Sequence, residues 1–137
     1  MHPGDPDDLN GAGGDILERV RAFFEKKTTE AEQRGVNKNR LCFDPGIGFG
    51  KTNEENFALI ANPEKIRVPG TALLMAASRK RVIGAVCGNP PFEDRMAGTV
   101  AAHTASVLFG ADMVRAHDTF EAVQAARVAD AIKQFRK

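Results

Sequence analysis

The sequence has almost no net charge and no long hydrophobic run. Its 137 residues carry 19 Lys and Arg against 18 Asp and Glu, which leaves a formal net charge of +1. Because this charge supplies no bulk electrostatic field, we expect neither a nucleic acid nor a membrane as partner. The longest wholly apolar run is residues 72–77, whereas a membrane-spanning helix needs about 20 residues.

Cysteine is also scarce. The two cysteines, Cys42 and Cys87, form no Cys-x-x-Cys motif. Neither a disulfide scaffold nor a cysteine zinc site is supported, so we expect two buried thiols in a cytoplasmic protein. Residues 1–14 are rich in Pro, Gly and Asp and lack a basic start and an apolar core. They predict a flexible loop and not a signal peptide.

Hydrophobic periodicity predicts strict alternation of helices and short buried strands. The predicted helices are at about 15–34, 53–62, 92–109 and from 118 onward. The predicted strands are residues 41–43, 72–77 and 112–117. Such alternation favours right-handed βαβ units and a parallel sheet. A (β/α)8 TIM barrel uses about 31 residues per unit. We therefore predict an α/β fold, a partial barrel of about three to four units.

Several side chains receive structural interpretations. Asp15 and Asp118 each precede a glutamate by three residues, which is the spacing of a capping box, and we expect Asp118 to act as a cap. His103 lies on the apolar stripe of its helix and is interpreted as a core histidine with satisfied hydrogen bonds. The apolar face of the last helix comprises Phe120, Val128, Ala131 and Phe135, with Ile132 beside it.

Each predicted strand ends in polar residues. These residues are Asp44 after the first strand, Ser78, Arg79 and Lys80 after the second, and Arg115, His117 and Asp118 after the third. Ligands of parallel α/β sheets bind at that edge. Arg115 and His117 lie on the same side of their strand and form a cationic pair suited to an anion.

A glycine-rich loop follows Asp44, with Phe49 among the glycines. Pro45 stands where a Walker A loop needs glycine before Lys51, and the alternating glycines do not fit a dinucleotide-binding motif. The loop instead lets backbone approach a flat ligand closely.

Together these segments resemble one family. Residues 44–51, 78–80, 95–101 with 110–112, and 114–118 are similar to the C-terminal half of dihydropteroate synthase. The similarity covers about residues 35–133 and includes Asn56. It implies a TIM barrel of folate biosynthesis. Such an enzyme condenses p-aminobenzoate with 6-hydroxymethyl-dihydropterin diphosphate, releases pyrophosphate, and is a sulfonamide target.

The resemblance implies substrate-binding roles by position. Asp44 resembles the aspartate that hydrogen-bonds the pterin ring, and Lys80 resembles the lysine that lies along both substrates. Gly48 belongs to the loop that approaches them, and Phe49 resembles the aromatic that packs on p-aminobenzoate.

Further roles concern the carboxylate and the leaving group. Ser78 and Arg79 resemble the loop beside the p-aminobenzoate carboxylate. Arg115 and His117 resemble the pair that holds the leaving pyrophosphate, and with Lys80 they are the implied catalytic residues. The implied mechanism is electrostatically assisted loss of pyrophosphate, followed by capture of the cationic methylene by the aniline nitrogen.

The resemblance covers only part of the family. Met1 and His2 resemble the end of the family's fifth strand, so strands one to five have no counterpart here. Magnesium is an implied cofactor, but no ligand for it is identified in this chain. We expect the isolated chain to be weakly active or inactive, and to form a homo-oligomer or to require the missing N-terminal half, because its apolar edges are uncovered.

Two alternatives stay open. The chain could be a non-catalytic pterin- or anion-binding module, or a half-barrel that needs a partner chain. A related barrel that transfers a methyl group from methyltetrahydrofolate is disfavoured by Ser78, Arg79 and Lys80 together with Arg115 and His117.

Overall fold

The protein forms a three-stranded parallel sheet in a computed structural model that describes residues 14–136. The strands are β1 (Cys42–Phe43), β2 (Ala72–Met75) and β3 (Met113–Val114), in the order β1-β2-β3. Cys42 pairs with Ala72, and Leu74 pairs with Met113, both in parallel. The predicted α/β class with parallel strands is confirmed. The third strand has two residues instead of the predicted six. The predicted flexible loop at 1–14 lies outside the described residues except for Gly14.

Six helices accompany the sheet in the described part of the chain. They are α1 (Ile16–Gln33), α2 (Asn53–Ala61), α3 (Pro63–Ile66), α4 (Arg81–Val86), α5 (Met96–Leu108) and α6 (Thr119–Lys133). Short 3-10 helices occupy Lys38–Arg40 and Phe92–Arg95. The helix predicted to start at Phe92 therefore starts as an α-helix only at Met96. Helix α4 was not predicted, because Arg81 was assigned to a loop.

The core lies between the sheet and the helix that precedes it. Phe24 of α1 stacks on Phe43 of β1, with ring centroids 4.6 Å apart and planes at 16°. Both rings are buried, as are Val20, Leu73 and Met75. Burying each side chain of this size contributes about 1.5–3 kcal/mol. The cluster therefore fixes α1 against the strands whose ends carry the polar residues.

Two predicted helix caps differ in outcome. The carboxylate of Asp15 accepts a hydrogen bond from the backbone N–H of Leu17 at 3.1 Å, so Asp15 caps α1. Asp118 occupies the N-cap position of α6 but makes no capping hydrogen bond. The prediction that it caps the helix is wrong, because its carboxylate binds Arg79 instead. An ionised pair of this kind is stronger than a bond to a backbone amide.

The apolar face of α6 is not its buried face. Phe120 is 71% exposed and Phe135 is 84% exposed, and Val128 and Ile132 are exposed too. The buried residues are Ala125 and Ala129. Their small side chains let α6 pack closely against α5, which turns the larger apolar residues outward.

His103 is buried at 1% exposure, as predicted. However, neither ring nitrogen has a hydrogen-bond partner among the described residues, so the prediction of a satisfied histidine is wrong. Burial lowers the pKa of this imidazole, because the charged form is disfavoured away from water.

The cysteines also depart from expectation, since Cys42 is partly buried and Cys87 is exposed. Across residues 14–136, no helix combines the length and the apolar character needed to cross a membrane.

Candidate functional site

The loop after β1 begins at Asp44 and is held by side chains. One carboxylate oxygen of Asp44 accepts a hydrogen bond from the backbone N–H of Gly46 at 2.8 Å. The backbone N–H of Gly48 donates to the side-chain oxygen of Asn56 at 2.7 Å. Asn56 is buried and donates in turn to the backbone oxygen of Thr52 at 2.7 Å. Helix α2 therefore anchors the glycine-rich loop.

The loop after β2 points its side chains in two directions. Arg79 adopts a φ of +55°, in the left-handed region that arginine rarely occupies. The hydroxyl of Ser78, just before it, contacts the β3 side. Lys80, just after it, donates to the backbone oxygen of Ile47, and its ammonium lies 4.7 Å from the centre of the Phe49 ring. The turn thus directs Lys80 toward the β1 loop.

The end of β3 meets both other loops. The guanidinium of Arg115 lies 3.5 Å from a carboxylate oxygen of Asp44. The backbone N–H of His117 donates to the hydroxyl of Ser78 at 3.2 Å, and Nδ1 of His117 lies 3.0 Å from the same oxygen. The ends of the three strands are therefore joined by polar contacts.

Asp44, Lys80 and Arg115 converge at one edge of the sheet, as the sequence predicts. A pocket of about 250 Å³ lies at this edge, and its lining consists of Ala76, Ser78, Lys80, Arg115, Ala116 and His117. The convergence follows from parallel pairing, which places the carboxyl ends of all three strands on the same side.

The electrostatics of this edge combine one carboxylate with two cations. Lys80 is half-buried, and burial lowers the pKa of its ammonium, although the Asp44 carboxylate opposes that effect. The side chain of Arg115 is 66% exposed. An ion pair this exposed is worth little, so Arg115 can exchange Asp44 for an incoming anion at small cost.

Arg79 does not line this pocket. Its guanidinium instead binds both carboxylate oxygens of Asp118, at 2.8 and 2.6 Å, and lies 5.2 Å from the centre of the Phe92 ring. Sequence reasoning missed Phe92, Arg95 and Thr99 as supports of this loop. The only local signal is that Arg95 and Thr99 are one helical turn apart, which permits their hydrogen bond.

The described residues do not fit a magnesium site of their own. Within residues 14–136 no three His, Cys, Asp or Glu side chains lie close enough together to hold a metal ion. Magnesium prefers oxygen ligands, often shared with a phosphate. The expectation that magnesium assists the reaction stays a prediction, and no step is derived through it.

Comparison with known proteins identifies the family. Residues 1–117 match the family described as pterin binding enzyme. This chain belongs to the pterin-binding enzyme family. The dihydropteroate synthase of Synechocystis sp. is 37% identical over 119 residues, which are 87% of this chain and 41% of that protein.

Solved structures agree with this membership in the pterin-binding enzyme family. The dihydropteroate synthase of Xanthomonas albilineans with 4-aminobenzoic acid superposes with a TM-score of 0.85 and is 36% identical, covering 97% of this chain and 47% of its own. The Burkholderia cenocepacia enzyme complexed with 7,8-dihydropteroate gives a TM-score of 0.83 at 36% identity, covering 90% and 46%. The chain therefore spans less than half the length of these dihydropteroate synthases, and its likeness to their TIM barrel is shown.

Proposed function

We propose that this chain supplies one side of a dihydropteroate synthase site, which joins p-aminobenzoate to 6-hydroxymethyl-dihydropterin diphosphate and releases pyrophosphate. The observation that carries the proposal is the convergence of Asp44, Lys80 and Arg115 at one edge of the sheet. The relatives named dihydropteroate synthase support the choice of reaction.

Asp44 and Lys80 have the chemistry to recognise a pterin. The side chain of Asp44 is 15% exposed, and only one of its oxygens accepts the bond from Gly46. The other oxygen faces Arg115, from which a ring N–H donor can take it over. Lys80 crosses from β2 toward the β1 loop, where its stem covers one side of the pocket.

Phe49 and Ser78 suit the second substrate. The ring of Phe49 is 48% exposed and packs under the ammonium of Lys80, so it offers a flat apolar surface to an aniline ring. Ser78 is buried at the edge of the same pocket. The complex of the Xanthomonas enzyme with 4-aminobenzoic acid supports a p-aminobenzoate subsite in this chain.

Arg115 and His117 suit the leaving group. The bond between the pterin methylene carbon and the diphosphate oxygen breaks, and its electron pair leaves with pyrophosphate. Fixed cations lower the barrier by stabilising that developing negative charge. The aniline nitrogen then bonds to the methylene carbon and loses its proton to solvent. This sequence forms no covalent bond to the protein.

We infer that the chain by itself is weakly active or inactive. It covers less than half of the relatives' length, so residues outside it complete the site, supplied by a missing N-terminal half. The alternative of a non-catalytic pterin- or anion-binding module is not favoured, because the named relatives are synthases.

The proposal is tested by titrating the chain with 6-hydroxymethyl-7,8-dihydropterin diphosphate in a calorimeter. We expect Lys80→Ala to weaken binding at least about tenfold, since a cation desolvated against the ligand contributes about 1.5–3 kcal/mol. Lys65→Ala is the matched control, because Lys65 is an exposed lysine of α3, distant from the pocket. Equal affinity of the two variants would contradict the site assignment.

A further inference from the structure

The side chains of Arg79 and Asp118 form a bidentate ion pair that joins the β2 loop to the start of α6. Nε of Arg79 lies 2.8 Å from Oδ2 of Asp118, and Nη2 lies 2.6 Å from Oδ1. Both side chains are largely withdrawn from solvent. Two parallel hydrogen bonds fix the orientation of both groups as well as their distance. We refer to this pair as the clamp.

The backbone of Arg79 is fixed just as firmly. Its N–H donates to the hydroxyl of Thr99 at 2.8 Å, and its carbonyl accepts from Nη1 of Arg95 at 3.1 Å. A left-handed arginine persists only where its surroundings over-determine it. The side-chain clamp and the two backbone bonds together provide that determination.

The clamp lies between two residues of the proposed site. Lys80 follows Arg79 directly, and His117 directly precedes Asp118. The contact between Ser78 and His117 runs beside the clamp, and the ring of Phe92 contacts both the Arg79 guanidinium and the His117 ring. A change at the clamp therefore reaches both substrate-facing side chains.

We propose that Arg79 and Asp118 act as positioning residues that hold Lys80 and His117 in place for the pterin and its diphosphate. This inference rests on the function proposed above. It assigns Arg79 a role different from direct contact with the p-aminobenzoate carboxylate. The Asp118 carboxylate occupies one edge of its guanidinium, and Phe92 covers a face.

The chain offers a matched control at the opposite end of the same two strands. Arg67 precedes β2, Asp112 precedes β3, and their side chains form an ion pair at 2.8 Å. The residue types and the strands joined are the same as in the clamp. Only the edge of the sheet differs, so Arg67→Lys and Asp112→Asn measure what loss of a cross-strand ion pair does by itself.

The first experiment follows Lys80 without any ligand. The chain is labelled with ¹³C-lysine, the Lys80 signal is assigned from Lys80→Arg, and its titration is followed by NMR. In Asp118→Asn and Arg79→Lys we expect the pKa of Lys80 to rise toward the ordinary lysine value of about 10.4, as its ammonium becomes more solvated. The two control variants should leave the wild-type titration unchanged. An unshifted Lys80 in folded clamp variants would overturn the inference.

The second experiment measures binding of 6-hydroxymethyl-7,8-dihydropterin diphosphate by calorimetry. We expect each clamp variant to lose about tenfold in affinity and the double variant to lose no more, because coupled residues are not additive. If Arg79 instead contacts substrate directly, Asp118→Asn, which leaves that guanidinium intact, keeps or improves affinity, and the inference fails.

The two readouts separate this inference from the proposed function. Failure of the wild-type chain to bind the pterin diphosphate would contradict the proposed function, while the Lys80 titration would still decide the clamp. Should Asp118→Asn not fold, Asp118→Glu is used. It retains the charge but lengthens the side chain, and the same rise in the Lys80 pKa is expected.

Discussion

Gly48 permits the close approach of the glycine-rich loop to Lys80. Its φ is +82°, and a Cβ added there would lie 3.1 Å from Cδ of Lys80. A side chain at this position would therefore meet both backbone strain and a crowded neighbour. The identity of this one residue lets the Lys80 stem run along the loop to the carbonyl of Ile47.

Gly48→Ala and Gly35→Ala form a matched pair of variants. Gly35 has a φ of +79° with no atom within 4 Å of an added Cβ. We expect both to lose about 1–2 kcal/mol of unfolding free energy from left-handed strain. Only Gly48→Ala should also weaken pterin diphosphate binding, because only it displaces Lys80. Urea unfolding and calorimetry measure the two effects, and equal binding by both variants would refute the role of Gly48.

Helix α5 buries polar side chains on the face that it turns to the rest of the molecule. The hydroxyls of Thr99 and Ser106 each donate to a backbone carbonyl one turn earlier, at 2.8 Å. These bonds satisfy both groups within the helix itself. His103 is buried between them without such a bond among the described residues, so its neutral form alone suits the site.

His103 should make the stability of the protein fall in mild acid. Burial lowers the pKa of His103 in the folded state, whereas the unfolded chain has the ordinary value of about 6.5. The unfolded state therefore binds more protons below that pH. Stability is retained above about pH 6.5 and is lost as the pH falls toward the folded pKa.

The measurement is urea unfolding of the wild type and of His103→Leu between about pH 7.5 and 5. We expect the wild type to lose free energy of unfolding on acidification, and the leucine variant to lose less, since it has no proton to take up at this position. Identical slopes for the two proteins would show that His103 is not the group responsible.

The molecule as a whole exposes apolar surface that a single soluble domain normally covers. Phe120, Val128 and Phe135 stand outward on α6. In the described chain, β1 and β3 are the outer strands of the sheet, and each pairs only with β2. Unpaired edges and clustered exposed aromatics both favour association with another surface.

Self-association is therefore expected at the micromolar concentrations used for sedimentation velocity. Replacing Phe120 and Phe135 with serine should shift the distribution toward the monomer, because it removes the two most exposed aromatic rings of α6. Phe109→Ser is a suitable control, since that ring is only at the margin of exposure and lies against Arg136. A wild-type chain that sediments as a folded monomer would contradict the expectation.

The sequence by itself determined the order of strands and helices and the edge at which Asp44, Lys80 and Arg115 meet. Hydrophobic period is a local property, and parallel pairing leaves no other edge for residues that follow strands. Only the tertiary structure decided that Asp118 binds Arg79 and does not cap α6, that the alanines of α6 face inward, and that His103 lacks a partner. Each of these depends on which residue stands opposite in space, and residues 39 positions apart, such as Arg79 and Asp118, carry no local sign of one another.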